Sequence, residues 1–279
     1  MTRLEGVRSL DRIGDRLRRF ALATVGRGRL GDALHGRWFG HPLHPAAVQV
    51  PVGAWTSAAM LDLVPGTGPA ATALLTVGTA AAVPTAATGW ADFATLSPQQ
   101  RRVAVVHAAA NVTAVGLMAA SVVARLRGHR RRGQALTLAG LGVASAGAYL
   151  GGHLAYSEGA GVSHATTALP QVPVGWHEVA AVDTIPDGQA YRRTIGETPV
   201  MVYRDQDRFT VLIARCAHQG GPLPDGRMVD VDGDQCIECP WHGSVFRLRD
   251  GKAMHGPAAS DQPRLRTRVR DGRLEAALL

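Results

Sequence analysis

From Leu63 to Ala91, from Val103 to Ala124 and from Gly133 to Ser157 the chain carries no Asp, Glu, Lys or Arg. Each run is free of formal charge and long enough to cross ~30 Å of hydrocarbon as a helix. The pattern predicts membrane spans at about 69–91, 102–125 and 134–156. An earlier run, 46–64, is apolar apart from Gln49, Pro51 and Asp62. It predicts a further span whose polar groups are satisfied by neighbouring helices. Ahead of it, Leu4, Val7, Leu10, Ile13, Leu17 and Phe20 recur at spacings of three and four with arginines between them. That is the pattern of an amphipathic helix, over 3–22, lying on a membrane surface.

Beyond residue 173 the period changes to two. "PVMVYR" and "FTVLIA" flank the turn residues Asp205 to Arg208, and "RLRTRVR" meets "RLEAAL" across Asp271-Gly272. Both pairs read as β-hairpins. Residues 157–173, "SEGAGVSHATTALPQVP", have the composition of a linker. The expected organisation is an interfacial segment at 1–37, a four-helix transmembrane domain at 38–156, the linker at 157–173 and a small antiparallel β domain at 174–279. The fold class is an α+β membrane protein.

Composition agrees with two unlike parts: 46% of the 279 residues are hydrophobic but only 5% aromatic, as in Ala/Val/Leu/Gly helices. The formal charge of +8 is unevenly placed. Up to Gln171 there are 16 Arg against 7 Asp/Glu, a net of +9, whereas the rest of the chain is close to neutral. Arginines flanking apolar spans set topology and contact anionic lipid, so no nucleic-acid partner is expected. With four spans both termini share one side, which collects nine N-terminal Arg plus Arg101 and Arg102, against five from Arg125 to Arg132 opposite. That bias predicts a multi-pass protein of the cell inner (cytoplasmic) membrane with its β domain in the cytoplasm. "RLRRFALA" (16–23) has two adjacent arginines, yet Gly26, Arg27, Gly28 and Arg29 interrupt what an export signal would need as a continuous apolar stretch.

Candidate chemistry sits in the β half. "RCAHQGGPLPDG" places Cys216 and His218 with one residue between them, and "CIECPWHGS" places Cys239 and His242 with two residues between them, both on Gly/Pro-rich loops. Thiolate and imidazole ligands close in sequence reach one soft metal site only where the chain turns sharply, which glycine and proline permit. Two Cys and two His form the complement of a Rieske centre. A zinc site is the alternative, because Cys236 and Cys239 form a C-x2-C pair. Cys236, at the end of "VDVDGDQCIE", otherwise reads as a small buried hydrophobe in a strand. If two of the three cysteines hold a cluster, no intramolecular disulfide is possible, as in a reducing compartment.

"CAHQGGPL" and "CPWHGSVF" resemble the two ligand boxes of Rieske [2Fe-2S] proteins, together with "GPA" (256–258) where that family has a Pro loop over the cluster. The resemblance implies that Cys216 and Cys239 ligate the inner iron and His218 and His242 the outer one. Gly220, Gly221, Trp241, Ser244, Phe246 and Pro257 would surround the cluster. High-potential respiratory members carry an extra Cys in each box and a Tyr donor; those places here read Gly221, Trp241 and Phe246. A ferredoxin-like protein in the lower part of the Rieske range, roughly −150 to +300 mV, is therefore implied. Upstream, "WFGHPLHPAAVQVPVGAW" (38–55) and "GGHLAY" resemble an uncharacterised bacterial four-helix membrane family marked by its HPLHP start. That resemblance spans about 38–160 and brings no activity.

His41, His44, His107 and His153 fall on one side of an up-and-down bundle, and histidines at membrane depth are costly enough to suggest a haem b or quinone site. Hydrogen-bonded structural histidines are the alternative. The expected function is one-electron transfer by a membrane-tethered iron-sulfur protein, between unidentified donor and acceptor proteins or quinone. A redox sensor or assembly anchor is the rival class. A Rieske oxygenase is not expected, because its mononuclear iron needs a 2-His-1-carboxylate triad and no His follows His255.

Overall fold

The computed structural model describes residues 2–25 and 28–278, so Met1, Gly26, Arg27 and Leu279 lie outside it. The chain divides into two compact units. One contains residues 2–25 and Leu43–Ala160; the other contains residues 28–42 and 161–278.

The first unit is helical: α1 (Thr2–Glu5), α2 (Asp11–Thr24), then, after the excursion into the other unit, α4 (Leu43–Ala47), α5 (Gln49–Leu61), α6 (Gly68–Phe93), α7 (Pro98–Leu126) and α8 (Arg130–Tyr156). Helix α3 (Gly28–Leu34) belongs to the second unit. Among the described residues three helices, α6, α7 and α8, are long and apolar enough to cross a membrane. They coincide with the spans predicted at 69–91, 102–125 and 134–156. The run at 46–64 forms instead the 13-residue α5 behind the short α4. At 1.5 Å per residue α5 alone covers about 20 Å, short of the hydrocarbon thickness. Pro51 cannot donate to Ala47 O, and the Thr85 hydroxyl of α6 lies 3.3 Å from that carbonyl.

Glycines on α8 let α7 come close. A Cβ at Gly140 would lie 2.9 Å from Met118, and one at Gly147 would lie 2.8 Å from Asn111. Gly78 plays the same part for Trp55 between α6 and α5. The polar interruption at Asp62 is a buried ion pair: the Arg125 guanidinium donates to both carboxylate oxygens, at 2.8 and 2.5 Å, and also reaches Ser121 and Thr137. This ties the end of α5 to α7 and α8. The predicted interfacial helix is broken into α1 and α2, and α2 packs through Asp11–Arg102 and Asp15–Arg101 pairs against the start of α7.

The second unit holds two antiparallel sheets. The larger is ordered β1-β10-β9-β4-β3-β2, from β1 (His177–Ala181), β2 (Ala190–Ile195), β3 (Thr198–Asp205), β4 (Arg208–Ile213), β9 (Arg264–Arg270) and β10 (Arg273–Ala277). The smaller is ordered β5-β6-β7-β8, from β5 (Arg227–Val231), β6 (Asp234–Glu238), β7 (Val245–Arg247) and β8 (Ala253–His255). Both predicted hairpins form, as β3–β4 and β9–β10. The second turns through Asp271 (φ 49°) and Gly272 (φ 73°), the two left-handed residues that a tight I′ turn requires. The core joins Val200, Met201, Val211, Leu212, Ile213, Ile237, Phe246 and Leu265.

The stretch expected to be a linker does not stay extended. From residue 161 it packs onto the β unit, because Ala165, Ala168 and Val172 bury their apolar side chains in that core. The backbone N–H of His164 also donates to Ala217 O at 2.9 Å.

Candidate metal centre

Two loops supply the candidate ligands. The first leaves β4 and returns to β5 carrying Cys216 and His218; the second joins β6 to β7 carrying Cys239 and His242. Each closes on itself by the same device. Cys216 N donates to Gly221 O and Gly220 N to Cys216 O, both at 2.8 Å; Cys239 N donates to Ser244 O at 2.8 Å and Gly243 N to Cys239 O at 3.1 Å. Gly220 (φ 70°) and Gly243 (φ 72°) hold the left-handed corners that bring each histidine back beside its cysteine.

The loops converge. The Cys216 and Cys239 thiols share a hydrogen bond, and the His218 and His242 rings stand edge to face with centroids 5.0 Å apart. Backbone N–H groups of His218 and Gln219 point at the Cys216 sulfur, and those of Trp241 and His242 at the Cys239 sulfur. These donors favour thiolate. The Cys216 hydrogen bond and the backbone donors bring Cys239 down to about 7, while the shared hydrogen bond with Cys239 and burial push Cys216 up. Burial, then the charges of His242, His35 and His164, lowers His218 to about 3, so its imidazole is neutral and ready to ligate.

The surroundings fit a compact iron-sulfur group. A Cβ at Gly221 would lie 2.9 Å from Cys239 Sγ and 3.1 Å from the Trp241 ring, so only glycine leaves that space clear. Ser244 is fully buried, and its Oγ finds no hydrogen-bond partner among the described residues. A buried hydroxyl in that position is a donor waiting for an acceptor such as a cluster sulfur. Phe246 is fully buried beneath the loops, and Trp241 is 57% exposed at their rim. Gly256 (φ 87°), before Pro257, packs so closely on the second loop that a Cβ would meet Gly243 O at 2.4 Å. Cys236 is fully buried on β6, and its thiol donates to Asp234 O.

Two supports were not foreseen from the sequence. Gln262, 1% exposed, threads the first loop: its Nε2 donates to Ile213 O (2.6 Å) and Arg215 O (2.7 Å), while its Oε1 accepts from Ala217 N (2.9 Å). Asp32, on α3, is buried against the Pro loop, where it accepts from His255 Nδ1 and Gly256 N. Buried His35 stands on the same segment, near enough for its charge to bear on His218. The only sequence signal was a lone Asp and a lone His in the Gly-rich run "GRLGDALHG".

The membrane histidines separate. His44 and His107 form an edge-to-face pair with centroids 6.4 Å apart. His44 Nδ1 donates to Thr85 O at 3.0 Å. His107 Nδ1 donates to Gly147 O at 2.8 Å, and its Nε2 accepts from Asn111 Nδ2 at 3.1 Å. With both ring nitrogens engaged, His107 does not fit as a haem ligand in this arrangement. His153 lies instead with Glu5 and Glu158. His41 belongs to the other unit, with its Nδ1 at 3.0 Å from Pro42 O.

Residues 175–267 match the family described as Rieske [2Fe-2S] domain, and residues 40–164 match the one described as Predicted membrane protein (DUF2231). The chain is 27% identical over 100 residues to the anthranilate 1,2-dioxygenase ferredoxin subunit of Burkholderia cepacia, which covers 36% of this chain and 89% of that one. It is 30% identical over 103 residues to ferredoxin CarAc of Metapseudomonas resinovorans, covering 37% and 92% respectively. It is 44% identical over 73 residues to the toluene-4-sulfonate monooxygenase system iron-sulfur subunit TsaM1 of Comamonas testosteroni, covering 25% of this chain and 20% of that one.

Proposed function

Since the chain belongs to the Rieske [2Fe-2S] family, we propose that it is a membrane-tethered one-electron carrier in which Cys216 and Cys239 hold one iron of the cluster and His218 and His242 the other. When bound, a [2Fe-2S] cluster accepts and donates single electrons. The chain's own residues do the rest. The backbone N–H groups around each sulfur stabilise thiolate charge, Gly221 keeps the space beside Cys239 clear, and Ser244 supplies one hydroxyl donor. With glycine, tryptophan and phenylalanine where high-potential members carry their extra cysteines and tyrosine, the potential falls in the lower part of the family range.

The helical unit tethers the carrier. In this reading α4 and α5 act together as a fourth membrane-embedded element beside α6, α7 and α8, and arginine placement puts the β unit on the cytoplasmic side. The relatives named as ferredoxin subunits belong by name to dioxygenase systems. By analogy, the donor is a reductase or a quinol and the acceptor a redox protein.

The observation that carries the proposal is the convergence of two Cys/His loops onto one point, with paired sulfurs and paired imidazoles. The test uses native membrane vesicles containing the full chain. NADH or quinol should reduce the cluster, a second redox protein should reoxidise it, and His242→Ala should abolish the signal. A cluster that stays oxidised in respiring vesicles would refute electron flux and favour a sensor or anchor.

A further inference from the structure

At the end of α8 stands a group of side chains that electron transfer leaves unused. His153 Nε2 is 3.1 Å from Glu5 Oε1 and 3.3 Å from Glu158 Oε1, and one ligand atom from each of the three residues lies within 4.8 Å of the others. All three belong to the helical unit. Glu5 comes from α1, 148 positions away from His153. Its backbone is held by Arg102, whose guanidinium donates to Glu5 O. Glu158 is fixed in the turn after α8, where its N–H donates to His153 O and its C=O accepts from Gln100 Nε2 at 2.8 Å.

The Glu158 side chain is 10% exposed, and both of its carboxylate oxygens are closed off from water with no hydrogen-bond partner among the described residues. A buried carboxylate with two unsatisfied oxygens beside a second carboxylate is costly. Burial and the Glu5 charge push its carboxyl above the ordinary range, opposed by His153. An imidazolium does not resolve this arrangement. The single Nε2 proton of His153 already serves Glu5 in the closer contact, and neither Glu158 oxygen receives a hydrogen bond among the described residues. A divalent cation accepts both carboxylates and the Nε2 lone pair together.

We propose that Glu5, His153 and Glu158 form a divalent-cation site with one imidazole and two carboxylate ligands, suited to Zn2+, Mn2+ or Fe2+. The donor set selects the class. There is no thiolate or thioether for Cu(I), and too few oxygens for the six to eight that Ca2+ takes. The cation clamps the N-terminal helix to the far end of α8, so binding stabilises the folded helical unit. Nothing in this inference depends on the residues of the β unit.

The test uses the full-length protein in detergent, freed of loosely held metal with EDTA and titrated with Mn2+ followed by EPR. One Mn2+ per chain should bind and be displaced by Zn2+. Glu5→Gln and Glu158→Gln should each weaken binding by about tenfold or more, without altering the iron-sulfur signal. Mn2+ should raise the Tm of the wild type and not of Glu5→Gln. Absence of stoichiometric Mn2+ or Zn2+ uptake, or equal uptake by wild type and Glu5→Gln, would overturn the site. Glu5→Gln decides the matter even if Glu158→Gln does not fold.

Discussion

Asp32 accepts two hydrogen bonds from a segment more than 220 positions away, Oδ2 from His255 Nδ1 and Oδ1 from the Gly256 backbone N–H, each at 2.8 Å. Gly256 in turn rests on the second ligand loop. The α3 segment therefore braces the Pro loop. Asp32→Ala leaves a backbone donor without its partner, which costs about 1–3 kcal/mol. Melting followed by the visible absorbance of the cluster should show that loss together with faster bleaching in air. A variant with wild-type melting and bleaching would mean that the segment rests on the loop without supporting it.

Ser244 Oγ is a buried hydroxyl with no hydrogen-bond partner among the described residues. If it donates to the cluster, it stabilises the reduced, more negative form, and Ser244→Ala should lower the potential. For a one-electron couple each tenfold change in relative stability is about 59 mV. A drop of several tens of mV with unchanged ligation is expected in a redox titration. An unchanged potential would place the hydroxyl in a packing role.

The Asp62–Arg125 pair is shielded within the helical unit, with side chains 8% and 3% exposed. Removing one partner strands the other charge, at a cost of about 3–5 kcal/mol. Asp62→Ala should unfold in detergent far below the wild-type Tm. The double variant Asp62→Leu/Arg125→Met, which removes both charges, should recover most of that loss. Equal losses in the single and double variants would contradict an electrostatic cause.

Cys236 is fully buried in β6 and hydrogen-bonded to Asp234 O, apart from the sulfur pair. Cys236→Ala should keep two irons per chain and lose no more than about 1–2 kcal/mol of stability, as for a small core truncation. Loss of iron, with zinc in its place, would restore the C-x2-C reading.

How much of this was legible in the sequence depended on the range of the contacts. Cys216 and His218 lie on one loop, as do Cys239 and His242, and each loop closes through hydrogen bonds spanning about five residues, so spacing and glycines were enough to find them. The hairpin at Asp271-Gly272 was readable for the same local reason. Gln262 and Asp32 act on residues 45 or more positions distant, and no local pattern marks a polar residue that becomes buried only on folding. The stretch 157–173 looked like a linker because its apolar residues are small and sparse. Yet Ala165 and Ala168 are small enough to pack flush against the β core. The run at 46–64 had the hydropathy of a span, and its helix is shorter because the chain divides into α4 and α5 at Val48, between Pro45 and Pro51.

The central claim, mixed cysteine and histidine ligation of one cluster, is tested most directly by pulsed EPR of the dithionite-reduced full-length protein. The account predicts two distinct nitrogen couplings, from His218 and His242, on an iron-sulfur signal that accounts for two irons per chain. A reduced signal with no nitrogen coupling, or a purified protein holding zinc and no iron, would contradict it.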